Sequence, residues 1–163
     1  VQFLPQLDDV ILKIKKELME RNQAREGTHE AMRKATSLSK QSILMLHQKR
    51  FDEAAKMLVD AKNIITKLQA QADQNPEIIY GGMFSAAMQE YSEANILLTL
   101  VKEDRFITPE EISVPSIDYV LGLADVIGEL RRLALDYLRD SQVEEGNRCL
   151  ELMDQIFIEL LAL

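Results

Sequence analysis

Apolar positions along this chain recur at helical spacing, three to four residues apart, and strand-like alternation is absent. Leu7, Ile11, Ile14 and Leu18, followed by Leu38, Ile43, Leu44 and Leu46, predict one long helix over residues 7–47. Its middle, residues 21–34, is polar all round and contains Gly27. Such a stretch packs only against another polar surface or lines a solvent-filled space, which predicts an extended scaffold or an oligomer. A second helix is predicted over 51–74, where Ala54, Met57, Leu58, Ala61, Ile64, Ile65 and Leu68 share one face. Asn75-Pro76 ends it, because a residue before proline is pushed out of the helical region. A third helix is expected over 76–102, with Gly81-Gly82 either breaking its first turns or letting another backbone come close.

Thr108-Pro109-Glu110-Glu111 combines an N-cap threonine, proline at the first helical position and glutamate at the capping-box position, so a short helix or single turn is expected there. Val114-Pro115 forces extended backbone, and a fourth long helix is predicted over 116–140. Ser141-Gln142-Val143-Glu144 is a second capping-box pattern, opening a last helix that runs toward Leu163. The chain closes on the apolar stretch Ile156-Phe157-Ile158-Glu159-Leu160-Leu161-Ala162-Leu163, which implies that further residues follow or that this end packs into a subunit interface. With 163 residues, six Gly, four Pro, no Trp and abundant helix formers, the chain is expected to be a single all-α domain over residues 1–163.

Composition narrows the setting. The lone Cys149 excludes an internal disulfide, and no Cys/His cluster exists to hold zinc. No apolar run approaches the roughly 20 residues that span a bilayer, and the start of the chain lacks the order of a signal peptide, so a soluble, cytoplasmic protein away from membranes is expected. Net charge is −8, but residues 1–50 carry ten Lys/Arg against six Asp/Glu, whereas residues 51–163 carry nine against twenty-one. The basic end either meets a polyanion or is a solvated helix face.

Two pairs of carboxylates are the chemical signal. Glu90 and Glu93 stand three apart in Gln89-Glu90-Tyr91-Ser92-Glu93-Ala94, and Asp125 and Glu129 four apart in Leu123-Ala124-Asp125-Val126-Ile127-Gly128-Glu129-Leu130. Either spacing puts both members on one helix face, inside an otherwise apolar pattern, where like charges repel unless something positive lies between them. Oxygen-only donors favour hard cations, namely magnesium, manganese or calcium, and suit phosphate-ester chemistry. A di-iron centre of the ferritin kind needs two Glu-x-x-His motifs on separate helices, and this chain has one, Glu26-Gly27-Thr28-His29, with none ending on His47. The bland reading is four surface charges on amphipathic helices.

His29 and His47 read as capping or half-buried histidines, His47 standing where a cation near a helix C-terminus is mildly favourable. Tyr91, Asp118 and Tyr119 either support a site or pack, and Arg131 and Arg132 meet a phosphate or a subunit, or form surface ion pairs of little worth. An all-α nucleoside triphosphate pyrophosphohydrolase also uses E-x-x-E on one helix, but expects its second pair at spacing three, where this chain has four. A non-enzymatic alternative is an RNA-binding scaffold.

Ser39-Lys40-Gln41-Ser42-Ile43-Leu44-Met45-Leu46-His47, the Gln89–Ala94 segment and the block Val114-Pro115-Ser116-Ile117-Asp118-Tyr119-Val120-Leu121-Gly122-Leu123-Ala124-Asp125-Val126-Ile127-Gly128-Glu129-Leu130 resemble, in order, the translin superfamily on its catalytic side, translin-associated factor X. That resemblance implies a bundle of long antiparallel helices and a Mg2+- or Mn2+-dependent endoribonuclease that cleaves single-stranded RNA. It also implies a hollow octamer, here a homo-oligomer, whose active sites face the chamber. By this likeness Glu90, Glu93 and Asp125 match the catalytic, metal-holding carboxylates, and Glu129 matches an acidic neighbour. The basic stretch with Arg21, Arg25, Arg33, Lys34 and Lys40 would hold the RNA backbone without reading sequence. The family's C-terminal helix has no counterpart before Leu163, and the eukaryotic insertion ahead of Pro115 is absent, so the compact form looks like a prokaryotic or archaeal homologue.

Overall fold

The computed structural model describes residues 5–78 and 81–163, and the described residues are helical with no strand. α1 (Pro5–His47) and α2 (Phe51–Gln74) form a hairpin through a three-residue connection, short enough to force antiparallel neighbours. Small buried residues let the two approach closely: the Ser42 hydroxyl donates to the Ala54 carbonyl at 2.9 Å. Lys49, with φ of 60°, makes the turn. Asn75 ends α2 ahead of Pro76, as expected. The predicted third helix begins later than its apolar pattern: Pro76–Ile78 is a single 3-10 turn, Ile79 and Tyr80 lie outside the described residues, and α3 is Gly82–Glu103. Gly81 caps it in extended conformation, and nothing lies within 4 Å of a side chain built on Gly82, so of the two roles open to this pair the structure uses the helix break.

Residues 104–115 cross back along the bundle. Thr108 accepts from the Glu111 amide at 3.2 Å while Glu111 accepts from the Thr108 amide at 2.7 Å, the reciprocal box expected for α4 (Pro109–Ile112). Gln69 of α2 donates to the Ser113 carbonyl, and the Tyr119 hydroxyl donates to the Ile107 carbonyl, pinning the crossover. α5 (Ser116–Arg139) and α6 (Val143–Leu161) make a second antiparallel hairpin. Contacts between α3 and α5 advance together, from Ser85–Asp118 to Gln89–Asp125, so the crossover lays these two side by side in the same direction.

The second capping box does not form. Ser141 takes φ of 59° and closes α5, with the Gln142 amide bonded to the Tyr137 carbonyl at 2.8 Å. Left-handed backbone at Ser141 is incompatible with the extended conformation an N-cap needs, so α6 starts behind Gln142 with no side-chain cap. The core gathers Leu46, Ile65, Leu68, Met88, Ile96, Leu97, Val126 and Leu130 from four helices. α1 outruns it: 43 residues against 24 in α2 is an excess of roughly 28 Å at ~1.5 Å per residue. Residues 6–27 are all exposed, including Leu7, Ile11, Ile14 and Leu18. No helix among the described residues is long and apolar enough to cross a membrane.

Candidate active site

Three helices meet at the acidic residues. Position 122 sets the distance between two of them: a Cβ there would stand 2.8 Å from the Gln89 carbonyl oxygen and 2.9 Å from the Glu93 amide nitrogen. Only glycine lets the α5 backbone lie directly on α3 at that level. From there α5 climbs one turn to Asp125 and another to Glu129, while α3 offers Gln89, Glu90 and Glu93. The four acids predicted from sequence are thereby brought within electrostatic reach of one another.

Their environments differ. Glu93 is 7% exposed, and burial, reinforced by the charges of Glu90, Asp125 and Glu129, pushes its carboxyl up to about 8 against only Lys40 pulling the other way. Burial also pushes Glu90 up; Lys40 opposes that, and Asp125 and Glu129 add to it. Asp125 departs from expectation in being exposed, because the α5 face bearing Leu121, Ala124, Asp125 and Gly128 is apolar in sequence yet open to solvent.

Each outer acid is taken by a protein group. Lys40 of α1 lies 3.7 Å from Glu90; Gln89 donates to Asp125 at 2.6 Å; His47 Nε2 meets Glu129 Oε2. The Glu93 carboxylate has no hydrogen-bond or ion-pair partner among the described residues. No group of three or more His, Cys, Asp or Glu side chains is closed at metal-ligating distance among them either. Repulsion between like charges accounts for the open arrangement, since the outer carboxylates turn to whatever cation or donor each can reach. An all-oxygen donor set around a buried acid short of positive charge nevertheless fits a hard divalent ion.

Of the basic residues singled out from sequence, Lys40 enters the cluster itself. Arg33 lies two turns before it on the same face of α1, and both line a groove of about 530 Å³ between α1 and the start of α3 with Thr36, Ser37 and Gln41. Arg21 and Arg25 line a separate cleft of about 870 Å³ with His29, and Arg21 is paired there with Glu77 at 3.0 Å. Lys34 is exposed and lines neither, and Arg131 and Arg132 are also exposed. Asp118 is buried and accepts from the Ser85 hydroxyl, and Tyr91 is buried against the core, so both serve packing. Sequence reasoning overlooked Gln89, Gly122 and the pairing of His47. Gly122 carried a signal, since glycine inside a helical pattern weakens the helix without a packing reason. His47 carried none, because its partner lies 82 residues away.

The sequence model of the translin family matches residues 23–163. An uncharacterized protein of Methanocaldococcus jannaschii is 32% identical over 107 residues, 65% of this chain and 47% of that protein, so the match spans about half the length of the curated relative. Among solved structures, AfC3PO in its complex with duplex RNA superposes with a TM-score of 0.81 at 30% identity, covering 93% of this chain and 78% of that one. A crystal structure of AfC3PO gives 0.80 at 28% identity over the same shares. Apo-NeC3PO, at 19% identity and a TM-score of 0.66 over 99% of this chain and 98% of its own, is similar in fold alone.

Proposed function

The chain belongs to the translin family, and from that premise we propose that it is a divalent-cation-dependent endoribonuclease on the family's catalytic, factor-X-like side, cleaving single-stranded RNA within a closed homo-oligomer, an octamer. The observation that carries the proposal is Glu93: a buried carboxyl pushed up to about 8 by burial and by three other acids drawn from two helices. Packing alone gives no reason to gather four carboxylates around one buried position, whereas a reaction centre does.

Glu90, Glu93, Asp125 and Glu129 would hold the ion, Mg2+ or Mn2+. When bound, it supplies the positive charge that polarises a phosphodiester and makes a nearby water a better nucleophile. The protein's own part is positioning. Gln89 orients Asp125 through its amide, and Lys40, which also reaches Glu90, lines one groove with Arg33, where the two can grip successive phosphates without reading bases. AfC3PO in complex with duplex RNA supports RNA as the ligand of this fold. Arg21, committed to Glu77, and Arg25 serve as a second, more distant basic contact.

The exposed face of α1 supports assembly: Leu7, Ile11, Ile14 and Leu18 repeat there at helical spacing and stay open to solvent among the described residues. Such a stripe is covered by another copy in an oligomer.

The test is cleavage of labelled single-stranded and duplex RNA with Mn2+ and with chelator. Wild type should cut the single strand only with the cation, and Glu93→Ala should cut at least about 100-fold more slowly. Full Mn2+-dependent cleavage by Glu93→Ala would overturn the assignment.

A further inference from the structure

α1 presents two basic side chains to the acidic cluster, Lys40 and His47, seven residues and thus two turns apart on one face. Each meets a different acid: Lys40 reaches Glu90 of α3, and His47 reaches Glu129 of α5. They are not equivalent. Lys40 sits on a flexible stem with its side chain 62% exposed, free to leave Glu90, whereas the His47 side chain is 2% exposed and fixed.

We propose that His47 is a positioning residue for Glu129, holding that carboxylate toward Glu93 so that its second oxygen is left for the ion; the inference rests on the metal-dependent reading above. Facing a carboxylate, Nε2 must be the nitrogen that donates. That leaves Nδ1 buried and without a partner among the described residues. A buried polar atom left without a partner is costly, so a leucine filling the same space would serve packing better. A histidine acting only on the helix C-terminus would stay exposed and reach carbonyls of its own last turn. Burial, one orphaned nitrogen and a single contact spent on a cluster carboxylate instead match the way ligand carboxylates are oriented by hydrogen-bonding neighbours. The contact ties the last residue of α1 to the middle of α5, 82 positions on, so it also decides which side chain Glu129 turns to.

Mn2+ affinity, measured by the electron paramagnetic resonance of the free ion on the full chain, tests this without relying on turnover. His47→Leu should bind Mn2+ about 10–100-fold more weakly, while His47→Gln, whose amide can donate from nearly the same place, should stay within about threefold of wild type. In a Glu129→Ala background, His47→Leu should cause no further loss, because the two act through one contact. Wild-type affinity in His47→Leu, or equal further loss in the Glu129→Ala background, overturns the role of His47. Glu93→Gln separates the two levels: if it too binds Mn2+ as wild type does, the centre itself fails and His47 falls with it. If Glu93→Gln loses the ion while His47→Leu keeps it, only the positioning role is lost. Urea midpoints for each variant identify any that are unfolded; if His47→Leu does not fold, the decision passes to His47→Gln, whose loss of Mn2+ binding in a folded protein equally overturns the proposal.

Discussion

Glu90 and Glu93 are indistinguishable in sequence, two acids three apart on one helix, yet the fold treats them differently. Glu90 is half-buried with a lysine beside it; Glu93 is buried with three acids around it. Because the folded protein holds the Glu93 proton up to about 8 against an ordinary value of 4.5, unfolding releases that proton at intermediate pH. The sign follows: the contribution of Glu93 to stability is complete below about 4.5 and is lost as pH rises through about 8. In cation-free buffer, Glu93→Gln should therefore melt close to wild type at pH 5 and well above it at pH 9, a difference on the order of a few kcal/mol. Added Mn2+ at pH 9 should narrow the gap by stabilising wild type alone. Parallel melting curves across this range would contradict the burial of a charged Glu93.

Helices α2 and α5 begin and end within a residue of where apolar spacing and proline place them, since these signals are local. The two capping-box patterns divided for a reason visible only between elements. Thr108 follows an extended crossover and adopts the N-cap conformation, whereas Ser141 is needed to turn α5 back into α6 and is left-handed. At Gly122 the limiting atoms are two of backbone and the Cβ of Ser92, none of which can swing aside as the end of a long side chain can. Gly122→Ala should push α5 off α3, costing about 1–3 kcal/mol, seen as a lower urea midpoint with unchanged slope. It should also weaken Mn2+ binding, because Asp125 and Glu129 move with α5. An unaltered midpoint would mean that α5 is not held at this distance.

Across the whole molecule, the projecting start of α1 is the feature one chain leaves unresolved in energy. Fully burying a leucine or isoleucine is worth about 1.5–3 kcal/mol, and Leu7, Ile11, Ile14 and Leu18 have no such burial among the described residues. Ile11→Asp with Ile14→Asp should reduce the mass measured by light scattering while leaving the helical circular dichroism and the urea midpoint of the bundle nearly unchanged, since neither residue touches the core. Retention of the wild-type mass would place the interface elsewhere, for which the exposed Ile117, Phe157 and Leu161 are the next surfaces to test.

Helix identity, the stops at Asn75 and Pro115, the Thr108 cap and the candidate acids could be read from the chain alone, because each depends on neighbours within about one turn. Tertiary structure alone decided that Glu93 is the buried acid and Asp125 an exposed one, that Gly122 sets the spacing of two helices, and that Lys40 and His47 turn inward to acids. Those facts arise where segments 30 to 80 residues apart converge. Burial and charge depend on every atom nearby in space, and local periodicity carries no record of which distant helix will supply them.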